Sequence, residues 1–331
     1  MKTLIAGFGS IGRRHLRNLR ALGETDFVLL RSHKSTLPDD EIVGLPVETD
    51  IQAALAHRPN AVIISNPTAL HLDVAIPAAK AGCHIFLEKP ISHDLKRVNE
   101  LTDVVKSSGS KVVVGFQLRF HPGLRKVKQL LSAGAIGTAY SFRAHWGEYL
   151  PNWHPWEDYR KSYSARSDLG GGVVLTLCHP FDYLRWLLGE VEELSGATNR
   201  SGALDLEVED SAEIILRMKQ GPIGTLHLDY LQQPVDHHLE ILGSEGTILW
   251  RNEDGLVKLF QQKTASWEEF AVPFGFERND MFLEEMQNFL DVVSGKAAPF
   301  CSLEDGIGAL KLTMAVHTSA KDKKPVSNPA G

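Results

Sequence analysis

Only three cysteines occur in 331 residues, Cys83, Cys178 and Cys301, widely spaced and odd in number. That argues against a disulfide framework and fits reduced thiols in a cytoplasmic protein. None stands in a metal-ligand spacing with histidine, so no metal site is expected. No apolar run reaches the roughly 18 residues that a membrane-spanning helix needs. The opening Met1-Lys-Thr-Leu-Ile-Ala6 lacks the apolar core and cleavage site of a secretory signal and reads as a strand. Long basic runs are missing too. Lys and Arg total 35 against 41 Asp and Glu, for a net charge of −6, which excludes nucleic acid or an anionic membrane as the main partner. Internal repeats and low-complexity segments are absent. What remains is a chain with 43% hydrophobic and 23% charged residues, ordinary for a globular protein and long enough for two domains.

The first positive signal is a glycine-rich turn, Gly7-Phe-Gly-Ser-Ile-Gly12, set between an apolar strand (Thr3 to Ala6) and a helix (Arg13 to Leu22). In that context it predicts a dinucleotide site. Gly7 permits the tight turn, Gly9 lets backbone approach a pyrophosphate, and Gly12 allows close helix–strand packing. Ser10 and Ile11 then offer first-turn N–H groups to the phosphates. Residues 1–120 continue as alternating strands (2–6, 26–31, 60–66, 83–87, 111–116) and helices (10–22, 50–57, 71–81, 94–108), the grammar of a parallel sheet covered on both faces. Asp94 is the expected N-cap of the fourth helix.

Beyond Phe120 the pattern changes. A helix is expected over 122–133. Strands follow at 139–147, 212–218, 225–231, 238–242, 247–251 and 256–261, separated by hairpin-like breaks, with helices at 173–188, 280–294 and 303–320. This predicts an α/β protein: an N-terminal Rossmann domain (1–120) and a C-terminal α+β domain (121–320) with a large open, mostly antiparallel sheet. The final helix is a candidate to pack back on the first domain, and 321–331 reads as a mobile tail. An uncovered apolar sheet face marks an interface, so a homodimer or homotetramer through that sheet is expected.

Several motifs fall in one order: Gly7 to Gly12, Asn66-Pro-Thr-Ala-Leu-His71, Glu88-Lys-Pro90, Gly115-Phe-Gln-Leu-Arg-Phe-His-Pro122, and Gly170-Gly-Gly172 followed by His179-Pro-Phe-Asp182. Together they resemble the glucose–fructose oxidoreductase / inositol dehydrogenase / rhizopine catabolism (Gfo/Idh/MocA) family. The resemblance implies a nicotinamide cofactor between two domains and hydride transfer at a CH–OH or C=O carbon of a sugar-like molecule. It implies that Lys89 lies by the nicotinamide and contacts the reacting oxygen, with His179 as its proton-transfer or substrate-binding partner. It also implies that Asn66, Pro67 and His71, with Glu88, border the nicotinamide ribose and diphosphate.

The residues themselves support parts of this reading. A lysine partly desolvated in a cleft can act as a base near neutral pH. Lys89–Pro90 is a candidate cis bond, a minority state for X–Pro. His179 and Asp182 are three apart and share a helical face. Pro180 requires either a kink or a helix that begins near Cys178. Thr176 stands where the family commonly has an aspartate, with a spacing to His179 one residue shorter. Lys89 and His179 would then manage the proton without that carboxylate, and a non-catalytic dinucleotide- or sugar-sensing regulator is the alternative. At the end of the second strand, Leu30-Arg31-Ser32-His33-Lys34 has no acid for a ribose 2′-hydroxyl. Arg31 and Ser32 suit a 2′-phosphate, so NADP(H) is preferred and NAD(H) is the alternative. Gln117 and Arg119 follow the next strand; Arg119 is either a ligand for a substrate anion or half of a structural ion pair. The aromatic-rich stretch 146–163, with Trp153, Arg160 and Tyr163, reads as a substrate loop, leaning toward an acidic or nucleotide-linked sugar.

Overall fold

The computed structural model describes residues 1–32 and 40–330. The chain forms two compact units, Met1–Gln117 with Arg278–Ile307, and Leu118–Glu277 with Gly308–Gly331. Among the described residues, no helix is long and apolar enough to cross a membrane.

The first unit begins β1 (Lys2–Ala6), α1 (Ser10–Ala21), β2 (Asp26–Leu30), β3 (Val47–Glu48), α2 (Ile51–Ala56) and β4 (Ala61–Ile64). It continues α3 (His71–Lys80), β5 (His84–Glu88), α4 (Val98–Ser108) and β6 (Val112–Gly115). The strands make a parallel sheet of order β3-β2-β1-β4-β5-β6, the Rossmann arrangement. Its central strands are continuous apolar runs because both faces are covered: β4 and β6 are buried at every residue. Order reverses between β1 and β4, and at such a point open α/β sheets bind ligands beyond the strand ends. α4 starts later than expected. Asp94 closes a turn by accepting from Lys96 N (3.1 Å), and Arg97 takes the cap position at the start of the helix. Gly109, at φ +71°, ends α4 in the left-handed region.

The second unit contains α5 (Pro122–Ser132), β7 (Ala139–Gly147), α6 (Val173–Thr176), α7 (His179–Leu188), β8 (Val191–Asn199), β9 (Ser211–Met218) and β10 (Ile223–Asp229). Then come β11 (Asp236–Gly243), β12 (Gly246–Arg251), β13 (Val257–Gln261) and β14 (Ser266–Phe270). Two helices follow, α8 (Arg278–Val293) and α9 (Leu303–Asp322), and last a short strand β15 (Val326–Ser327). The sheet order is β14-β13-β12-β11-β7-β10-β9-β8-β15. Neighbours are antiparallel except β7 and β10. One face is core: Ala212, Ile214, Leu216 and Met218 are buried in alternation with exposed residues. On the other face Tyr140, Ile215 and Trp267 are about half exposed or more.

Two features differ from the expectation. The segment 321–331, expected as a mobile tail, supplies β15, which pairs with β8 through Val326↔Leu194. An added edge strand satisfies backbone groups that β8 would otherwise present to solvent. And α8, expected in the second domain, belongs to the first unit, where Met286, Phe289 and Val292 pack into one core with Ile5, Leu16, Leu29 and Phe86. Burying three large apolar side chains contributes roughly 1.5–3 kcal/mol each. Cys83, Cys178 and Cys301 are buried.

Candidate functional site

In the first unit, β1 delivers Gly7 beside the end of β4, where Ala6 is paired with Ile64. Gly7 has φ +90°, and a Cβ there would collide with the Asn66 backbone. A Cβ on Gly12 would collide with the Gly7 carbonyl and Ser65 Oγ. Ser65 Oγ donates to the Ala6 and Gly7 carbonyls at 3.1 and 3.0 Å, fixing the turn. Gly9 is different: no atom lies within 4 Å of where its Cβ would stand. It caps α1 with no side chain, so the first-turn N–H groups of Ser10, Ile11 and Gly12 are left for a ligand. Asn66 donates Nδ2–H to the Leu70 carbonyl (3.2 Å), while its Oδ1 is buried with no hydrogen-bond partner. Two crowded glycines, one open glycine, an uncapped helix start and an orphaned acceptor fit a dinucleotide, with Gly7 to Gly12 holding the diphosphate and Asn66 accepting from a ligand hydroxyl or amide.

The loop after β5 is tied to this turn. Lys89 follows Glu88 directly and is partly exposed, and its bond to Pro90 is cis. His71, at the start of α3, is 1% exposed and lies between two backbone carbonyls, Nδ1 by Pro90 O and Nε2 by Asn66 O, both at 2.9 Å; the neutral ring donates to one of them. Burial holds it below the ordinary imidazole range despite those contacts. It therefore braces the loop carrying Lys89 against the one carrying Asn66 and Pro67. Glu88 is also enclosed. Its carboxylate meets His15 Nε2 at 2.7 Å and accepts from Lys89 N at 3.3 Å. Burial opposes its ionisation, yet the His15 hydrogen bond, with His15, Lys89 and His71 nearby, holds its carboxyl below the usual range. His15, on the inner face of α1, was not singled out from the sequence; a histidine on the buried stripe of an amphipathic helix was the available signal.

Arg31 and Ser32 follow β2. Arg31 is 7% exposed and its N–H donates to Glu48 O (3.0 Å), whereas Ser32 is exposed. His33 and Lys34 lie outside the described residues. Gln117 is buried in a short 3₁₀ turn after β6.

In the second unit, α6 ends at Thr176 and α7 begins at His179, with Pro180 in its first turn. Of the two alternatives for Pro180, the structure adopts the new helix start, where a missing N–H is harmless. Thr176 and His179 are each 2% exposed. Thr176 lies beside the Tyr230 phenol, which donates to Ser164 O (3.3 Å); burial raises that phenol well above its ordinary pKa. His179 packs on Trp146 (5.5 Å), which stacks on His237 (4.3 Å, 2°). Burial first, then the neighbouring His121, pushes His237 well below the imidazole range. Asp182, one turn along α7, is held by Arg119 in a bidentate pair: Nε donates to Oδ2 at 2.9 Å and Nη2 to Oδ1 at 2.7 Å. Both side chains are at most 5% exposed. The structural alternative for Arg119 is the one the geometry displays.

The aromatic stretch is anchored through Gly171, where a Cβ would strike the carbonyls of Tyr163, Ser164 and Arg166. Trp153 packs edge-on to Tyr230 (5.6 Å), and its Nε1 is buried with no hydrogen-bond partner. Tyr163 is partly buried nearby, close enough to Tyr230 to affect its ionisation. Arg160 and Arg166 are exposed and each pairs bidentately with an acid two residues away, Asp158 and Asp168. Tyr230 and Glu209 were missed from sequence. Glu209 accepts from Val174 N (3.2 Å) at the start of α6, and burial raises its carboxyl pKa.

His121 caps α5 by accepting from Gly123 N on Nδ1 (3.0 Å), between Trp250 and Phe276. Burial lowers its pKa from 6.5 to about 4. A lowered imidazole pKa means the folded state binds the proton less well than the unfolded chain. Stability is therefore complete above pH 6.5 and falls as pH drops toward about 4. The loss reaches about 3 kcal/mol for this group alone. Urea unfolding between pH 7 and 4 is expected to show a shallower decline in His121→Asn, which keeps a capping acceptor but cannot titrate. An unchanged slope would assign the decline to other groups.

Comparison with known proteins agrees with this arrangement. The family model described as "Oxidoreductase family, NAD-binding Rossmann fold" matches residues 1–116, and that described as "GFO/IDH/MocA C-terminal domain" matches residues 124–249. The myo-inositol 2-dehydrogenase of Thermotoga maritima is 28% identical over 98% of both chains. The inositol 2-dehydrogenase of Rhizobium meliloti is 26% identical, also over 98% of both. A solved levoglucosan dehydrogenase, in complex with NADH and levoglucosan, shares the fold with a TM-score of 0.89 at 20% identity over 99% of each chain. With a glycine turn, a Glu-Lys-Pro loop and an open second sheet in their expected order, the chain belongs to the Gfo/Idh/MocA family of oxidoreductases.

Proposed function

We propose that the protein is an NADP(H)-preferring dehydrogenase or reductase acting at a CH–OH or C=O carbon of a neutral polyhydroxylated substrate, a sugar or cyclitol. The observation that carries this reading is the brace in the first unit: His71 ties the loop bearing Lys89 to Asn66, whose backbone abuts Gly7. A candidate base is thereby held in register with a dinucleotide turn. When bound, the nicotinamide supplies the two-electron hydride chemistry. The chain's own residues handle the rest. Lys89 Nζ takes the hydroxyl proton during oxidation and returns it during reduction, and Asn66 Oδ1 orients the ligand. In the second unit His179 and Thr176 are the polar groups for the substrate, with the Trp153 indole N–H as a donor to a hydroxyl. The arginines that pointed to an acidic substrate, Arg119 and Arg160, are each matched by a carboxylate, as is the nearby Arg166, which favours a neutral one. The open face of the second sheet is the proposed contact in a homodimer or homotetramer.

Cofactor choice rests on Arg31 and Ser32. Titration of the purified protein with NADPH and NADH, read by nicotinamide fluorescence, is expected to show at least tenfold tighter NADPH binding, and Arg31→Asp is expected to abolish that preference. A parent protein that binds NADH more tightly refutes the assignment and leaves the dehydrogenase reading standing. Substrate class is then tested with NADP and a panel of neutral cyclitols and sugars alongside uronic acids.

A further inference from the structure

On the open face of the second sheet, strand register gathers histidines that are remote in sequence. His145 in β7 is paired with His227 in β10 on one side and with His238 in β11 on the other. Asp229 is two residues beyond His227 and so projects from the same face. The three imidazoles stack, His145 lying 4.6 Å from His227 and 5.2 Å from His238 between ring centres. His145, His227 and Asp229 each place one ligand atom within 4.8 Å of the others.

We propose that His145, His227 and Asp229 form a binding site for a late first-row divalent cation, of which zinc is the probe of choice. The supporting parts are built in. Asp229 Oδ1 accepts from Leu231 N and Gln232 N, both at 2.6 Å, which fixes the carboxylate. Gly147 is its register partner, and any Cβ there would collide with Oδ2. Glu213 lies 2.6 Å from His227 Nδ1, leaving Nε2 to face Asp229 Oδ2 at 2.9 Å. A lone pair and a carboxylate so opposed require a proton or a cation between them. A carboxylate on the far nitrogen of a metal-binding imidazole is the usual supporting contact. His145 Nε2 is buried and has no hydrogen-bond partner. Two imidazoles and one carboxylate suit zinc and leave a position for water. The competing occupant is a proton: the Asp229 hydrogen bond, then Glu213, raises His227 above the ordinary imidazole range.

The test is Zn²⁺ titration of chelator-treated full-length protein by calorimetry, with Co²⁺ visible spectra as a second readout. The parent is expected to bind about one ion per chain. His145→Ala and His227→Gln are expected to lose that binding, and Glu213→Gln to weaken it by ~10–100-fold. Circular dichroism and nicotinamide binding check that each variant is folded, and His145→Ala alone suffices should His227→Gln fail to fold. No binding by the parent, or parent-like binding in folded His145→Ala, overturns the site and leaves a proton as the occupant.

Discussion

Replacing Lys89 by Met is expected to lower kcat by ~10²–10⁴-fold, the range that a positioned general base contributes. NADPH affinity should change far less, because the glycine turn and the N-terminus of α1 remain. Lys89→Arg separates two roles. Arginine keeps the positive charge but stays protonated at any working pH. If Lys89 accepts the hydroxyl proton, both variants fail alike. If it merely stabilises negative charge on the reacting oxygen, Arg retains a large share of the rate. The measurement is steady-state turnover of NADP with the best neutral cyclitol or sugar from the panel, and more than about a tenth of parental kcat in Lys89→Met would end the base assignment. The brace makes the experiment clean. The ring nitrogens of His71 face the carbonyls of Pro90 and Asn66, not the lysine side chain, so removing the amine leaves those contacts in place.

Arg119→Met should destabilise the second unit by about 3–5 kcal/mol, because it strands a buried carboxylate. Asp182 is 1% exposed and cannot recover that partner's charge from solvent. Asp182→Leu should cost a comparable amount by leaving the guanidinium in the same position. The double variant Arg119→Met, Asp182→Leu should recover most of the loss, since well-packed apolar residues often replace a buried pair at little cost. Urea midpoints of the four proteins measure the coupling directly. A loss below about 1 kcal/mol in Arg119→Met would show that other contacts hold Asp182. The pair also bears on catalysis. It secures α7 one turn beyond His179, so part of any activity lost in Asp182 variants would come from a displaced imidazole.

The fold was legible where burial imposed a period. Continuous apolar runs marked β1, β4, β5 and β6, and alternation marked β9 to β13. β8 and β14 were missed for a common reason. β14 is the last strand of its sheet and is exposed along nearly its whole length, so Ser266-Trp-Glu-Glu-Phe270 has no buried face to impose a pattern. β8 carries Gly196 and several polar residues, and only Val191 and Leu194 are fully buried. At the site, the glycine turn, Lys89 and His179 were readable from local motif. Partnership was not. His15 with Glu88, Arg119 with Asp182, and His145 with His227 and His238 join residues 63 to 93 positions apart, and only the strand register and helix packing bring such pairs together. The tryptophans of 146–163 were read as one loop, yet Trp146 belongs to the buried face of β7 and Trp156 is 62% exposed.

The return of α8 to the first core has a consequence for biosynthesis. A ribosome that has released residues 1–117 has delivered every strand of the parallel sheet but not Met286, Phe289 or Val292. At about 5–20 residues per second, the apolar surface they cover waits on the order of ten to thirty seconds for them. The core of the first unit thus stays incomplete over that interval, and its completion is among the last events of synthesis.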